Sequence, residues 1–209
     1  TAKRLPAADG LAIVKGLCEH DEDVADPHLP LLLWWAVESK ILTNEADVLG
    51  LLADTTFWAR PIVDQFLLER LMRRFAATGS RKDLAVCAKL LELAPSADAS
   101  KRLMQGFEQA FAGRSLADIP PELATALAKQ GNVSLPLGLR LGRTDAIDRA
   151  NKLLASADVD IPLRLAIIET LGEAKQPSCL PNLLALLETK QAEPTTRALL
   201  TTLARYPTS

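Results

Sequence analysis

Residues 162–172 read PLRLAIIETLG, and residues 194–204 read PTTRALLTTLA. Shifted by 32 positions, Pro162 falls on Pro194 and Ala166 on Ala198. Ile167 and Ile168 fall on Leu199 and Leu200, Thr170 on Thr202, Leu171 on Leu203 and Gly172 on Ala204. A repeat of roughly 30–45 residues with helical spacing marks a stack of helical units. A single unit of that kind cannot bury its apolar face alone, so neighbours must cover one another. The fold class this predicts is all-α, an α-solenoid of helical hairpins with about ten to twelve helices.

A weaker copy lies upstream. At an offset of 30, Leu135 matches Leu165, Leu141 matches Leu171 and Gly142 matches Gly172, while Leu153 and Leu154 match Leu183 and Leu184. The expected unit is helix, glycine-containing turn, helix. The regular repeats are expected over 134–209 and a less regular helical region over 1–133, together forming one continuous array. The final unit has a first helix, Thr195 to Arg205, and no second before Ser209. That suits an interior break or a cap of a longer array, whose last helix would leave an apolar flank exposed. The start at Thr1, without an initiator methionine or a signal-like core, reads as an excised segment or a mature product.

Composition agrees with helices. Leu and Ala dominate, aromatics are 4% and charged residues 24%, a globular rather than a disordered balance. Low Tyr and Val content argues against a β-sandwich. The net charge is −2, which argues against nucleic acid or an anionic membrane as the main partner. The longest apolar run, Leu29 to Val37, is far shorter than the ~20 residues needed to span a bilayer, so no membrane insertion is expected. Cys18, Cys87 and Cys179 are isolated and lie on apolar stripes, which predicts buried free thiols.

The local signals divide the rest of the chain. Residues 9–18 read as a short helix. Asp26 followed by Pro27 predicts an N-cap and first helical position, and the helix after it is apolar almost all round, as if buried between neighbours. Asn44 should cap the next helix. A long helix is expected over about Thr56 to Ala76, with Ile62, Val63, Phe66, Leu67, Leu71 and Phe75 inside and Pro61 setting its first turn or kinking it. Gly79 and Ser80 break the chain. Leu84, Cys87, Leu90 and Leu91 form one stripe, and Leu103, Met104, Phe107 and Phe111 another. Pro120 and Pro121 open a short helix ended by Gly131.

The stretch RLAIIETLGEAKQPSCLPNLLALL (164–187) resembles a HEAT repeat: an Arg-led first helix, Leu-Gly near its end, then a Leu-rich second helix opened near proline. This likeness, to the armadillo-like class, implies a superhelix that presents grooves to protein partners. A second stretch, HDEDVADPHLPLLLWWAVESK (20–40), resembles a segment of large multidomain proteins of planctomycetes and their relatives. Those proteins join a sugar-dehydrogenase-like β-propeller, HEAT repeats and a c-type cytochrome module. The resemblance implies a helical middle segment of an exported or periplasmic redox protein. The chain has no CxxCH, so no covalent haem is expected in it, and the redox chemistry would belong to the flanking modules.

The candidate binding loop is His20, Asp21, Glu22, Asp23, Asp26 and His28, which holds both histidines of the chain. Its spacing is neither that of an EF-hand nor HExxH, so it is read as a solvated loop that caps the following helix, with no metal or other cofactor. Trp34, Trp35 and Trp58 could make a base-stacking surface. Neighbours on a helix point ~100° apart, so core packing is expected for at least two of the three. Arg70, Arg73, Arg74, Arg81 and Lys82 could grip phosphates, but a solvated face, part neutralised by a Glu69–Arg73 pair, is the simpler reading. There is no GxSxG, no phosphate-cradling glycine loop and no Cys–His pair close in sequence, and no catalytic residue is assigned. The function expected is a non-enzymatic interaction, spacer or scaffold domain that holds a protein partner or flanking domains of the same polypeptide. The alternative is a HEAT-like nucleic-acid-binding or DNA-repair protein.

Overall fold

Proline, glycine and short polar residues cut the sequence into thirteen α-helices, seen in a computed structural model that describes residues 2–41, 43–114, 116, 119–130, 133–156, 158–175 and 177–206. They are α1 (Ala7–Leu17), α2 (Leu29–Ile41), α3 (Glu45–Leu51), α4 (Thr55–Trp58), α5 (Leu68–Thr78), α6 (Arg81–Leu93) and α7 (Ala97–Ala110). Then follow α8 (Pro121–Lys129), α9 (Leu135–Arg140), α10 (Thr144–Ala155), α11 (Ile161–Ala174), α12 (Leu180–Glu188) and α13 (Glu193–Leu203). No strand occurs among the described residues, so the all-α class holds. The chain divides into two compact units, Thr1–Ala110 with Ile119–Gln130, and Phe111–Asp118 with Gly131–Ser209. Gly131, expected to end a helix, and the last residues before Ser209 lie outside the described residues.

In the first unit, α1, α2 and α3 pack together around Leu11, Val14, Val37, Ile41 and Val48. Lys40 of α2 is buried, and its Nζ donates to the carbonyls of Lys3 and Leu5 at 3.0 and 2.6 Å. Those two carbonyls compensate the buried ammonium and anchor the N-terminal turn. Helix α2 starts at Leu29, two residues later than Asp26-Pro27 suggested. The Asp26 side chain still caps it, accepting from the amides of His28 and Leu29 at 2.8 and 2.7 Å. Asn44 does precede α3, but its side chain meets Thr43 and Asp47 instead of a backbone amide.

The single helix expected over 56–76 is two. Helix α4 ends at Trp58 because Pro61 has no N–H to give the Phe57 carbonyl, and its ring would collide with it. The chain restarts at Pro61, passes through a π-helical turn at Val63–Leu67 and runs on as α5. The extra residue in that turn shifts the buried stripe, so Leu68 and Met72 join Leu67, Leu71 and Phe75 inside, while Phe66 is half-buried. Ser80 caps α6 through Asp83 N at 3.1 Å. Helix α5 lies against α7, α6 against α8 and α5 against α6, so alternate helices run side by side. The two backbones approach tightly at Gly106, where a Cβ would sit 2.0 Å from the Glu69 carbonyl oxygen.

The second unit repeats this plan. Helix α11 packs between α9 and α13, and α10 packs on α12. Ile167, Ile168, Leu171, Cys179, Leu183 and Leu199 form its core. Helices α11 and α13 both begin one residue before a proline, Pro162 and Pro194, as the 32-residue copy requires. Thr202 Oγ1 donates to Ile168 O at 3.1 Å and the Tyr206 hydroxyl to Leu171 O at 3.0 Å. Two aligned glycines turn out to have different roles. Gly142 sits in the α9–α10 turn at φ +65°, whereas Gly172 lies inside α11, where a Cβ would be 2.9 Å from Thr202 Oγ1. The 30-residue match thus pairs a turn glycine with a packing glycine, because sequence similarity does not distinguish the two needs.

Candidate functional site

The acidic loop folds as a short 3-10 turn, Asp21–Ala25, between α1 and α2. Its charges are dispersed. His20 Nδ1 is 3.6 Å from Glu22, Asp21 is 3.6 Å from Arg60, and Asp26 is spent on the cap. The Leu29 and His28 amides hold the Asp26 carboxyl below the usual carboxylate range. Asp23 is half-buried, while Glu22 and His28 are exposed. Among the described residues no three His, Cys, Asp or Glu side chains gather as ligands for a metal ion.

The basic residues of α5 and α6 are likewise dealt out one by one. Arg70 donates to Phe66 O at 3.2 Å and lies 5.6 Å over the Phe66 ring. Arg73 reaches Gln109 of α7 at 3.0 Å instead of Glu69. Arg74 pairs with Glu38 at 3.6 Å and Lys82 with Glu45 at 3.0 Å, and Arg81 is exposed. Arg70, Arg73, Arg74 and Lys82 thus each engage a different partner. The three thiols are buried. Burial pushes Cys18 and Cys87 up to about 12 and raises Cys179 as well, which keeps them protonated and unreactive near neutrality.

The tryptophans separate by environment. Trp34 is 7% exposed, and Trp58 is 3% exposed with its Nε1 donating to Leu52 O at 2.9 Å. Trp35 is 46% exposed. Leu32 beside it is 52% exposed, and Leu31 and Ile13 are each 40% exposed. The expectation that α2 is buried all round is therefore corrected. One face packs inward through Leu33, Trp34, Ala36 and Val37, while Leu31, Leu32 and Trp35 stay open. Ile13 and Leu17 of α1 and Leu32 and Trp35 of α2 line a shallow groove of about 620 Å³, whose wall is completed by Lys3 and Arg4. No carboxylate among the described residues lines it. Sequence reading missed this groove, although the nearly complete apolar circumference of α2 was its signal: a helix apolar on almost every side leaves apolar surface wherever its neighbours do not reach.

Comparison with known proteins finds no matching family model, no matching curated protein and no matching solved structure.

Proposed function

We propose that this chain is a non-enzymatic interaction scaffold, a HEAT-type α-solenoid whose Trp35 face holds a protein partner or a flanking domain of the same polypeptide. The exposed Trp35 carries the reading. Contiguous exposed apolar surface marks interaction sites, and tryptophan contributes more binding energy than any aliphatic residue there. The side-by-side packing of alternate helices, α9 with α11 with α13 and α10 with α12, supports the stacked-hairpin architecture. Scattered single contacts of Arg70, Arg73, Arg74 and Lys82 weigh against the nucleic-acid alternative, which needs a continuous basic groove. If the planctomycete-type resemblance holds, the held domains would be the propeller and cytochrome modules, and the compartment would be outside the cytoplasm.

The test is site-specific photo-cross-linking in the native cell, with benzoylphenylalanine at position 35 and at exposed Glu92 as control. A discrete adduct at position 35 alone, to another protein or to a flanking part of the same one, is expected. Equal adducts at both positions, or none, would overturn the reading.

A further inference from the structure

The Trp35 groove is charged oppositely at its two ends. Helices α1 and α2 run antiparallel: a Cβ on Gly10, near the start of α1, would be 3.5 Å from Lys40 Cε, near the end of α2. The N-terminal turn Ala2–Arg4 packs on both helices at that end, where the Lys3 carbonyl accepts from Lys40 Nζ. The acidic turn Asp21–Ala25 lies at the other end, after Leu17 of α1 and before Leu29 of α2. One helix of 13 residues separates the two turns, about 20 Å. At the basic end Lys3 and Arg4 are exposed and Lys40 is buried, and Asp9 in the first turn of α1 offsets one of these charges. At the acidic end stand Glu19, Asp21, Glu22, Asp23 and Asp26, and Arg60, 3.6 Å from Asp21, offsets one of them.

An occupant that suits this groove is apolar along its middle, negative where it meets Lys3 and Arg4, and positive where it meets the acidic turn. The groove's own surface has that form when it is turned end for end. Trp35 is the middle residue of α2, and it and Leu32, one turn earlier, are both strongly exposed beside the hollow. Each copy of the chain therefore carries both a projection and a place to receive one. We infer that the occupant is a second copy of this chain, joined about a two-fold axis near Trp35. The axis reverses the direction of α2, so the Lys3–Arg4 turn of each copy lies against the Glu19–Asp23 stretch of the other. The Leu32 and Trp35 side chains of each copy fill the other's groove. An unrelated segment would match both charged ends only by coincidence, whereas a two-fold axis matches them automatically, because one patch serves both sides. The inference rests on the interaction reading above and names the partner for it.

The experiment is sedimentation equilibrium of the whole chain over about 1–500 µM, a range that includes weak specific interfaces. A monomer–dimer equilibrium is expected. Trp35→Ala should weaken it at least about tenfold, as loss of a central aromatic anchor does. Lys3→Glu with Arg4→Glu should weaken it by about as much, and so should Glu19→Lys with Glu22→Lys, because each pair of changes sets like charges against one another at both ends. All of these side chains are exposed. Mixed in equal amounts, the two charge variants should pair with each other about as tightly as the parent does with itself, which misfolded variants would not do. The inference falls if the parent stays monomeric, if Trp35→Ala or either charge variant dimerises as well as the parent, or if mixing restores nothing. A monomeric parent beside a discrete position-35 adduct to a different protein or to a flanking domain would sink the second copy and leave the interaction reading standing.

Discussion

At Asp54 one carboxylate caps α4 and ties it to α1. It accepts from the Thr56 hydroxyl at 2.6 Å, the Thr56 amide at 3.0 Å and Lys15 Nζ at 3.0 Å. The Thr56 hydroxyl leads in holding its pKa down to about 2, from an ordinary 3.8. A carboxyl depressed in the folded state stabilises above its unfolded pKa, and that contribution is lost as pH falls through the folded one. Melting temperatures of the parent chain should therefore fall more steeply from about pH 4 to about pH 2 than those of Asp54→Asn. Parallel curves would show that the contacts do not persist in solution. The adjacent tryptophans follow the same logic of local geometry. That Trp34 and Trp35 point apart follows from helical rotation alone, but only the neighbours of α2 decide which one is covered.

Between elements, the decisive contact is α5 against α7. In sequence, Gly106 is a flaw in an otherwise good helix, and alanine there should help by about 1 kcal/mol on propensity alone. In the structure its missing Cβ is what lets the two backbones meet, with Glu69 O at 2.0 Å and Arg73 N at 3.1 Å from where that atom would be. Backbone cannot swing aside as a side chain can, so Gly106→Ala should cost about 3 kcal/mol in urea unfolding. A neutral or stabilising result would mean that the helices separate at no cost. The stripe of Leu103, Met104 and Phe107 was legible from its spacing. The approach of α5 was not, because it depends on a partner 36 residues away, as the Arg73–Gln109 bond shows. The π-turn at Val63–Leu67 escaped for a related reason: one added residue changes which side chains face inward without changing their apolar character.

Over the repeat region of the molecule, the array reading makes burial depend on place in the stack. Ile168 of α11 is fully buried, while its sequence equivalent Leu200 of α13 is 54% exposed. Helix α11 has α9 on one side and α13 on the other. In a stack governed by contacts between neighbours, opening starts where a unit has fewest of them. Native-state hydrogen exchange should therefore show α13 amides exchanging well before those of α11. A single protection level from α9 to α13 would speak for one indivisible bundle instead. The same view accounts for the candidate sites. The acidic loop was conspicuous by composition, yet it gathers no set of metal ligands among the described residues. The groove at Trp35 is assembled from residues that look ordinary one at a time.

The amino-acid sequence by itself determined the helical class, most helix boundaries, the internal copy around Pro162 and Pro194, and the burial of the three thiols. These depend on spacing, capping and breakers, which act within a few residues along the chain. Tertiary structure alone decided that Trp35 faces outward, that Gly106 and Gly172 are contact points, and that the basic and acidic turns lie at opposite ends of one groove. The reason is physical: exposure and convergence depend on which surfaces other helices happen to cover, and that is set by packing between residues far apart in the chain.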